Sequence, residues 1–464
     1  MQFKHAPAAV SASFDDPNLV SAAGLVPVMR LAMKSGLYRL TARLLSVPTD
    51  KGANAGLKVA SLLAGMLAGA DSIDDMSVLR HGGMSRLFTK LYAPSTLGSF
   101  LRSFTFGHVR QLDAVATRFL ANLASETPLL PSGNEDEYVL VDIDDTIIEV
   151  HGYQKQGSGF GYSGVRGLNA LLATVKTSAS APVVIGQRLR KGSCGSPRGA
   201  ARLISDALAT VRRVPDMSDS RVLMRADSAY YGFAAVNAAL GTGAAVSVTA
   251  RMDPAVKRAI ATIPDDAWET INYTDAIYDQ DTNRWISSAE VAEVPFTAFA
   301  SRRKNERVHG RLVVRRIPEL NKNNLEQPTL FDTHRFHAFF TTSDLDTVTA
   351  DKTHRGHAVI EQVHADLKNS ALAHLPSGVF TANAAWLVIA VIAFNLTRAA
   401  ATITGATLAK ATTGTIRRKL ISVPARIARS ARRIRMHLPE NWPWETEWRT
   451  LLAIATGPPK PTII

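Results

Sequence analysis

The 464-residue sequence contains one cysteine, Cys194, which excludes an internal disulfide framework and any multi-cysteine zinc or iron–sulfur site. Such scarcity suits a reducing, cytoplasmic setting. Long apolar runs are missing too. The longest, Ala384 to Phe394, has eleven residues, and a spanning helix needs roughly twenty. A buried core helix is therefore expected there, and no membrane partner. The N-terminal stretch MQFKHAPAAVSASFDDPNL lacks a basic segment leading into an apolar one, so a secretory signal is not expected. No internal repeat and no long low-complexity tract is present. Finally, no acidic residue occurs between Asp366 and Glu440.

What is present is apolar and basic. Apolar residues make up 46%, which excludes wholesale disorder, and 53 Lys and Arg against 40 Asp and Glu give a net charge of +13. That excess points to a polyanionic partner, nucleic acid or a membrane surface. Its distribution is uneven: residues 1–130 carry +5, residues 131–366 carry −2, and residues 367–464 carry +10. Within the middle segment, eight acids between Asp265 and Glu293 precede the basic run Arg302, Arg303, Lys304, Arg307, Arg311, Arg315, Arg316. A basic strand pair of this kind suits a phosphate backbone, and a solvated face is the plainer reading. Nine bases lie between Lys410 and Arg435, with Arg426, Arg429, Arg432, Arg433 and Arg435 spaced for a helix.

Periodicity divides the chain. Residues 20–130 read as mostly helical, and Ser95 or Thr96 is placed to cap a helix bearing Leu97, Leu101 and Phe104. A short helix after a turn, carrying Arg102 with Arg110 beyond, suits a helix-turn-helix reader of DNA as well as it suits a plain bundle. From Glu137 the pattern turns to strands: Tyr138–Asp144, Val183–Arg190, Val222–Ala226, Ala245–Ala250, Leu312–Ile317 and His337–Thr341, with helices at Gly199–Arg212, 355–370 and 380–400. This alternation predicts an α/β core.

Three carboxylates stand out. Asp144 ends an apolar strand, with Asp142 on the same face. Asp227 ends a second strand. Glu361 sits in a helical stretch in which His354, His357, Glu361, His364 and Lys368 recur at three- and four-residue steps. Gathered carboxylates repel one another unless a divalent cation neutralises them, and hard oxygen donors suit Mg²⁺ or Mn²⁺. Two such ions can activate water or a 3′-hydroxyl at a phosphodiester.

Longer motifs carry a resemblance: LRHGGMSRLF (79–88), APSTLGSFLRSFTFGH (93–108), VDIDDTIIEVHGYQKQGSGFGY (141–162), RLRKGS (188–193), RADSAYY (225–231) and NAAWLVIAVIAFNLTR (383–398). With these the chain resembles DDE transposases of bacterial insertion sequences, most closely the insertion-sequence-1380 family. The resemblance implies an RNase H-like catalytic core with an inserted mainly-β domain, preceded by a helical DNA-binding region. It implies Asp144, Asp227 and Glu361 as catalytic and metal-binding acids, two Mg²⁺ ions (Mn²⁺ substituting), double-stranded DNA as partner and a homodimer on that DNA. The domains would be 1–130 (helical, DNA-binding), 131–234 (core, first part), 235–335 (insert), 336–400 (core, second part) and 401–464 (basic tail). Related transposases carry Tyr-x-x-Arg-x-x-x-Glu and, after six residues, Lys. His354 and His357 stand at the first two positions here, and Glu361 and Lys368 keep the spacing. His357, Lys368, Arg102, Arg303, Arg316, Arg432 and Arg433 are the expected DNA contacts.

Two other readings fit parts of the sequence. Asp142-Ile143-Asp144-Asp145-Thr146 matches the DxDxT signature of haloacid-dehalogenase-like phosphatases, with Asp142 as nucleophile and Asp144 as general acid. A catalytically silent DNA-binding descendant of a transposase is the other. Trp268 and Trp285 are candidates for stacking on a flipped base, with packing the plainer role.

Overall fold

A computed structural model describes residues 4, 9–48, 50–131, 137–151, 154–279, 284–318, 334–431 and 433–458. The N-terminal part is helical, as the apolar spacing predicts. After the two-residue strand β1 (Leu19–Val20) come α1 (Leu25–Lys34), α2 (Leu37–Leu44), α3 (Ala55–Ala68), the short α4 (Met84–Leu87), α5 (Pro94–Arg102) and α6 (Phe106–Glu126). The cap expected at Ser95 or Thr96 lies earlier. Pro94 occupies the first helical position of α5 behind extended Ala93, because its missing N–H costs nothing there. Thr105 caps α6 in a reciprocal box with His108.

The rest is mixed α/β. It runs β2 (Val139–Glu149), β3 (Gly159–Phe160), β4 (Arg166–Lys176), β5 (Val183–Lys191), α7 (Ala200–Val211), β6 (Val222–Ala226), α8 (Phe233–Leu240), β7 (Ala245–Thr249), α9 (Pro254–Ile260), β8 (Glu269–Asp279), β9 (Arg284–Ala298), β10 (Val308–Pro318) and β11 (His334–Thr341). These strands form one sheet in the order β3-β4-β2-β6-β7-β11-β10-β9-β8, with β5 pairing β4. Only β2–β6 and β6–β7 are parallel. They are the central strands, and all five residues of β6 are buried.

Strands β8 to β10 extend the same sheet through β11. Their opposite charge runs meet there as cross-strand partners. Arg316 faces Glu290 in register and donates to it at 2.7 Å, and Arg311 reaches Glu293 at 2.6 Å.

The chain continues through α10 (Thr347–Arg355), α11 (Val359–Lys368), α12 (Phe380–Ile403), α13 (Ala406–Ala409), α14 (Thr413–Ile416), β12 (Ala425–Ser430), β13 (Arg433–His437) and α15 (Glu445–Thr456). Helix α12 is 24 residues long, well beyond the eleven-residue run. It is long and apolar enough to cross a membrane, yet its apolar window is entirely buried inside the protein. It packs on α6, α3 and β5. Asn395 is buried within it for a reason: its amide donates to Val184 O at 2.7 Å, and its carbonyl accepts from Val184 N at 3.0 Å. This satisfies β5 beside its bulged pairing with β4.

The helix expected around Arg426–Arg435 is instead the hairpin β12–β13, which pairs β1 into a three-stranded sheet. The arginine spacing suited a helix, but from Ala425 to Ala428 the side chains alternate, Ala425 and Ile427 buried and Arg426 exposed between them, a period of two. The backbone beside this sheet approaches α1 closely. Ala23 N donates to Val423 O at 2.9 Å and Gly24 N to Ile421 O at 3.1 Å. A Cβ on Gly24 would lie 1.8 Å from Leu420 O, so only glycine fits.

Candidate active site

Parallel pairing of β2 and β6 ends with Ile143 opposite Ala226, so Asp144 and Asp227 follow side by side, each one residue further along. Asp144 is partly buried and its Oδ1 accepts from the Asp145 N–H at 2.8 Å. Desolvation, reinforced by the charges of Asp227 and Asp145, pushes its pKa up to about 7. Asp227 is the more open, and it caps the turn that follows by accepting from Ala229 N at 2.9 Å. Its pKa is also raised, first by desolvation of the carboxyl among its neighbours.

Asp144 is flanked on β2 by two buried acids that have become structural, Asp142 and Asp145. Asp142 is fully buried and receives two 2.7 Å bonds from the equally buried guanidinium of Arg225. His357 Nδ1 lies 3.1 Å from the same carboxylate. Asp142 is thus closed off from any substrate, which removes the nucleophile of the phosphatase reading. Asp145 lies on the opposite face of β2. It accepts from the Tyr230 hydroxyl and the Asn169 amide, and pairs with Arg190 at 3.1 Å. Arg190 in turn bonds Asn169 and the carbonyls of Ser196 and Arg198. The motifs at 188–193 and 225–231 therefore converge on the residue next to Asp144.

The helix expected across 355–370 is broken. α10 ends at Arg355, a single 3₁₀ turn covers Gly356–Ala358, and α11 restarts at Val359. Arg225 causes the break: it donates to the carbonyls of Thr353 and Gly356, so these terminal groups are satisfied without continuing the helix. Glu361 is exposed on the first turn of α11. Its charge, with those of Asp145, Asp144 and Asp227, acts on the phenol of Tyr162, whose pKa is raised first by desolvation and then by these carboxylates. Asp144 and Asp227 thus stand together, and Glu361 lies on α11, which packs against β2.

Their neighbours take different roles from those expected. His354 belongs to α10 and is partly buried against the sheet, stacked on Phe339 at 4.1 Å and bonded to the hydroxyls of Ser247 and Thr249. Burial lowers its pKa to about 3. The unfolded chain takes up that proton below the ordinary 6.5, whereas the folded protein does not until near 3. This stability is therefore complete above pH 6.5 and is lost as the pH falls. At pH 5 the loss amounts to about 2 kcal/mol. Urea unfolding at pH 7.5 and 5 should show His354→Gln losing about 2 kcal/mol less over this interval than the wild type, the other titrating groups being common to both. His364 Nδ1, whose residue was not among the expected site groups, lies 3.7 Å from Asp144 Oδ2. Burial keeps it neutral, with a pKa lowered to about 4. Lys368, half-buried, lines a cleft with Thr146 and Tyr162.

The remaining expected contacts lie on other elements. Arg102 is exposed on α5 and donates to Ser99, and Arg110 is bound to Asp113 and Asp206. Arg303 is exposed. Arg316 is held by Glu290 and lies over the ring of Trp268 at 4.3 Å, which gives that tryptophan a packing role. Arg433 is exposed on β13, and Arg432 lies outside the described residues, as does the side chain of Trp285.

Among the described residues, no three His, Cys, Asp or Glu side chains are already gathered about one ion position. The donor set nevertheless suits a hard divalent cation. Asp144, Asp227 and Glu361 offer only carboxylate oxygens, and the desolvation of Asp144, reinforced by the charges of Asp227 and Asp145, is what a bound cation would offset.

A family model described as "Transposase DDE domain group 1" matches residues 4–457. No curated protein matches the chain. The chain belongs to this family of DDE transposases.

Proposed function

We propose that this DDE transposase cuts DNA at the ends of an insertion sequence and joins the freed ends to target DNA. The observation that carries the reading is the adjacency of Asp144, in the middle of β2 where its parallel pairing with β6 stops, and Asp227, just past the end of β6, with Glu361 on α11, which packs against β2. Divalent metals are general to DDE transposases, and Asp144, Asp227 and Glu361 would hold two Mg²⁺ ions, with Mn²⁺ able to replace them. When bound, such ions supply charge neutralisation and a water or 3′-hydroxyl of lowered pKa. The protein's own residues orient that centre. Arg225 and His357 fix Asp142 two residues from Asp144, Tyr230 and Arg190 fix Asp145 beside it, and neutral His364 borders the Asp144 carboxylate without cancelling its charge. Lys368 would hold a phosphate of the transposon end.

In the same reading, the central strands and α11 form an RNase H-like core and β8–β10 an insert. The quoted motifs support a place in the insertion-sequence-1380 family. A homodimer bridging two ends follows by analogy. The test is incubation of the purified protein with a duplex carrying the element's own terminal repeat and Mg²⁺. The reading expects strand breaks at the element boundary, and intact duplex in every metal and pH condition overturns it.

The basic C-terminal region would contribute phosphate contacts through β12–β13, where Arg429, Arg433 and Arg435 are exposed with no acid on either strand. Each phosphate contact contributes roughly 0.9 to the slope of log affinity against log salt. Arg433→Ala with Arg435→Ala should therefore flatten that slope by about 2. An unchanged slope would mean these arginines are merely solvated.

A further inference from the structure

Tyr162 has no part in the chemistry above, yet its surroundings are those of a ligand-facing residue. It follows the β3 strand in a turn where Gly164 adopts a left-handed conformation, at φ 70°, and Gly161 lies against Ile147. A Cβ on Gly161 would come within 2.7 Å of the Ile147 side chain, so the turn sits flush on β2. The Tyr162 hydroxyl donates to Asp145 O at 3.3 Å, which anchors the side chain beside Asp144, while the residue remains 72% exposed. Large aromatic groups are normally turned inward, and one pinned at its polar tip with its ring left open calls for a partner.

The ring borders a cleft of about 370 Å³ between β2, this turn and the C-terminal end of α11. Ile147, Ile148, Val165 and Leu372 give it apolar walls, and Thr146 and Lys368 supply polar groups. Its size is within the range of small-ligand clefts. Glu149, also in the lining, disfavours a phosphate beside it, and the Lys368 ammonium is the cation among the lining residues. The composition is that of a nucleoside site: a flat ring, an apolar wall, and one cation for the adjoining phosphate. Trp268 packs beneath Arg316, and of the exposed aromatic side chains Phe14, Phe106, Phe160 and Tyr162, Tyr162 is the one that lines this cleft.

We propose that this cleft receives the nucleoside adjoining the phosphodiester to be cut, with its base stacked on the Tyr162 ring. The proposal rests on the transposase reading for its substrate and makes Tyr162 a substrate-contacting residue that sets where along the strand the acids act. Stacking on one aromatic ring is sequence-tolerant, so the cleft selects position more than base.

The test uses the full chain and a terminal-repeat duplex with 2-aminopurine at the nucleotide next to the cleavage point. In the absence of metal, which prevents cutting, binding of wild-type protein should change the 2-aminopurine emission through stacking. Tyr162→Phe should keep that change, and Tyr162→Ala should lose it and weaken binding about ten-fold, as expected for one lost base–aromatic stack. Cleavage in Mg²⁺ by Tyr162→Ala should then scatter over neighbouring phosphates. Wild-type protein that leaves the emission unchanged, or Tyr162→Ala that matches wild type in emission and affinity, overturns the proposal. Because emission is read without cutting, failure of the proposal is distinct from failure of the transposase reading, which is judged by wild-type cleavage alone.

Discussion

Asp227→Asn should abolish metal-dependent cleavage of a terminal-repeat duplex, with a loss on the order of a thousand-fold, equivalent to about 4 kcal/mol of barrier. The substitution keeps an acceptor for the Ala229 N–H, so the turn after β6 remains capped. It removes one negative charge from a place where Asp144 and Asp227 stand side by side. The same loss is expected for Asp144→Asn and Glu361→Gln. Duplex affinity measured without metal should stay within about three-fold of wild type, since none of these acids attracts a phosphate. Retained cleavage by Asp227→Asn would remove it from the chemistry. This also separates the active enzyme from a silent DNA-binding descendant, for which all three variants would equal the parent.

The largest stability effect should come from Arg225. Its guanidinium and the Asp142 carboxylate are both fully buried, and removing one partner strands the other. Arg225→Met should cost about 3–5 kcal/mol, read as a lowered urea midpoint at unchanged slope. The pair itself is worth far less, because both charges are desolvated. Combining Arg225→Met with Asp142→Leu should recover much of the loss. Failure of the double variant to recover would point to the carbonyls of Thr353 and Gly356, which also depend on Arg225.

The central strands, the long helices and the two aspartates were legible because each follows a local rule. Asp227 does end its strand, whereas Asp144, read as a strand end, lies in the middle of β2, which continues to Glu149; what ends there is the pairing with β6. The groups that steady them were less legible, since they act over distance. Tyr230 and Asp145 are 85 residues apart, and Arg225 reaches into the α10–α11 junction 128 and 131 residues away. One local signal existed: Arg225 is the sole charge inside the apolar strand Val222–Ala226, and such a residue must find a buried partner. The break at Gly356 was hidden because helical spacing runs unbroken through it, and only the long-range guanidinium makes stopping favourable. The basic hairpin was misread for a related reason. Arginines three and four apart satisfy a helical rule, but the strand is selected by its pairing with β1, some 400 residues earlier.

That pairing has a consequence for biosynthesis. Leu19 and Val20 need Arg426 and Ala425 as partners, Asp16 holds Arg426, and Lys34 donates to Ile454 O. The first helices therefore depend on residues some 400 positions further along the chain, a high contact order that slows closure. A chain terminated anywhere before β12 lacks both the hairpin and the cover of α1, so shortened products are poorly built competitors for the intact protein. Folding itself makes synthesis through β13 a condition for presenting the basic strands.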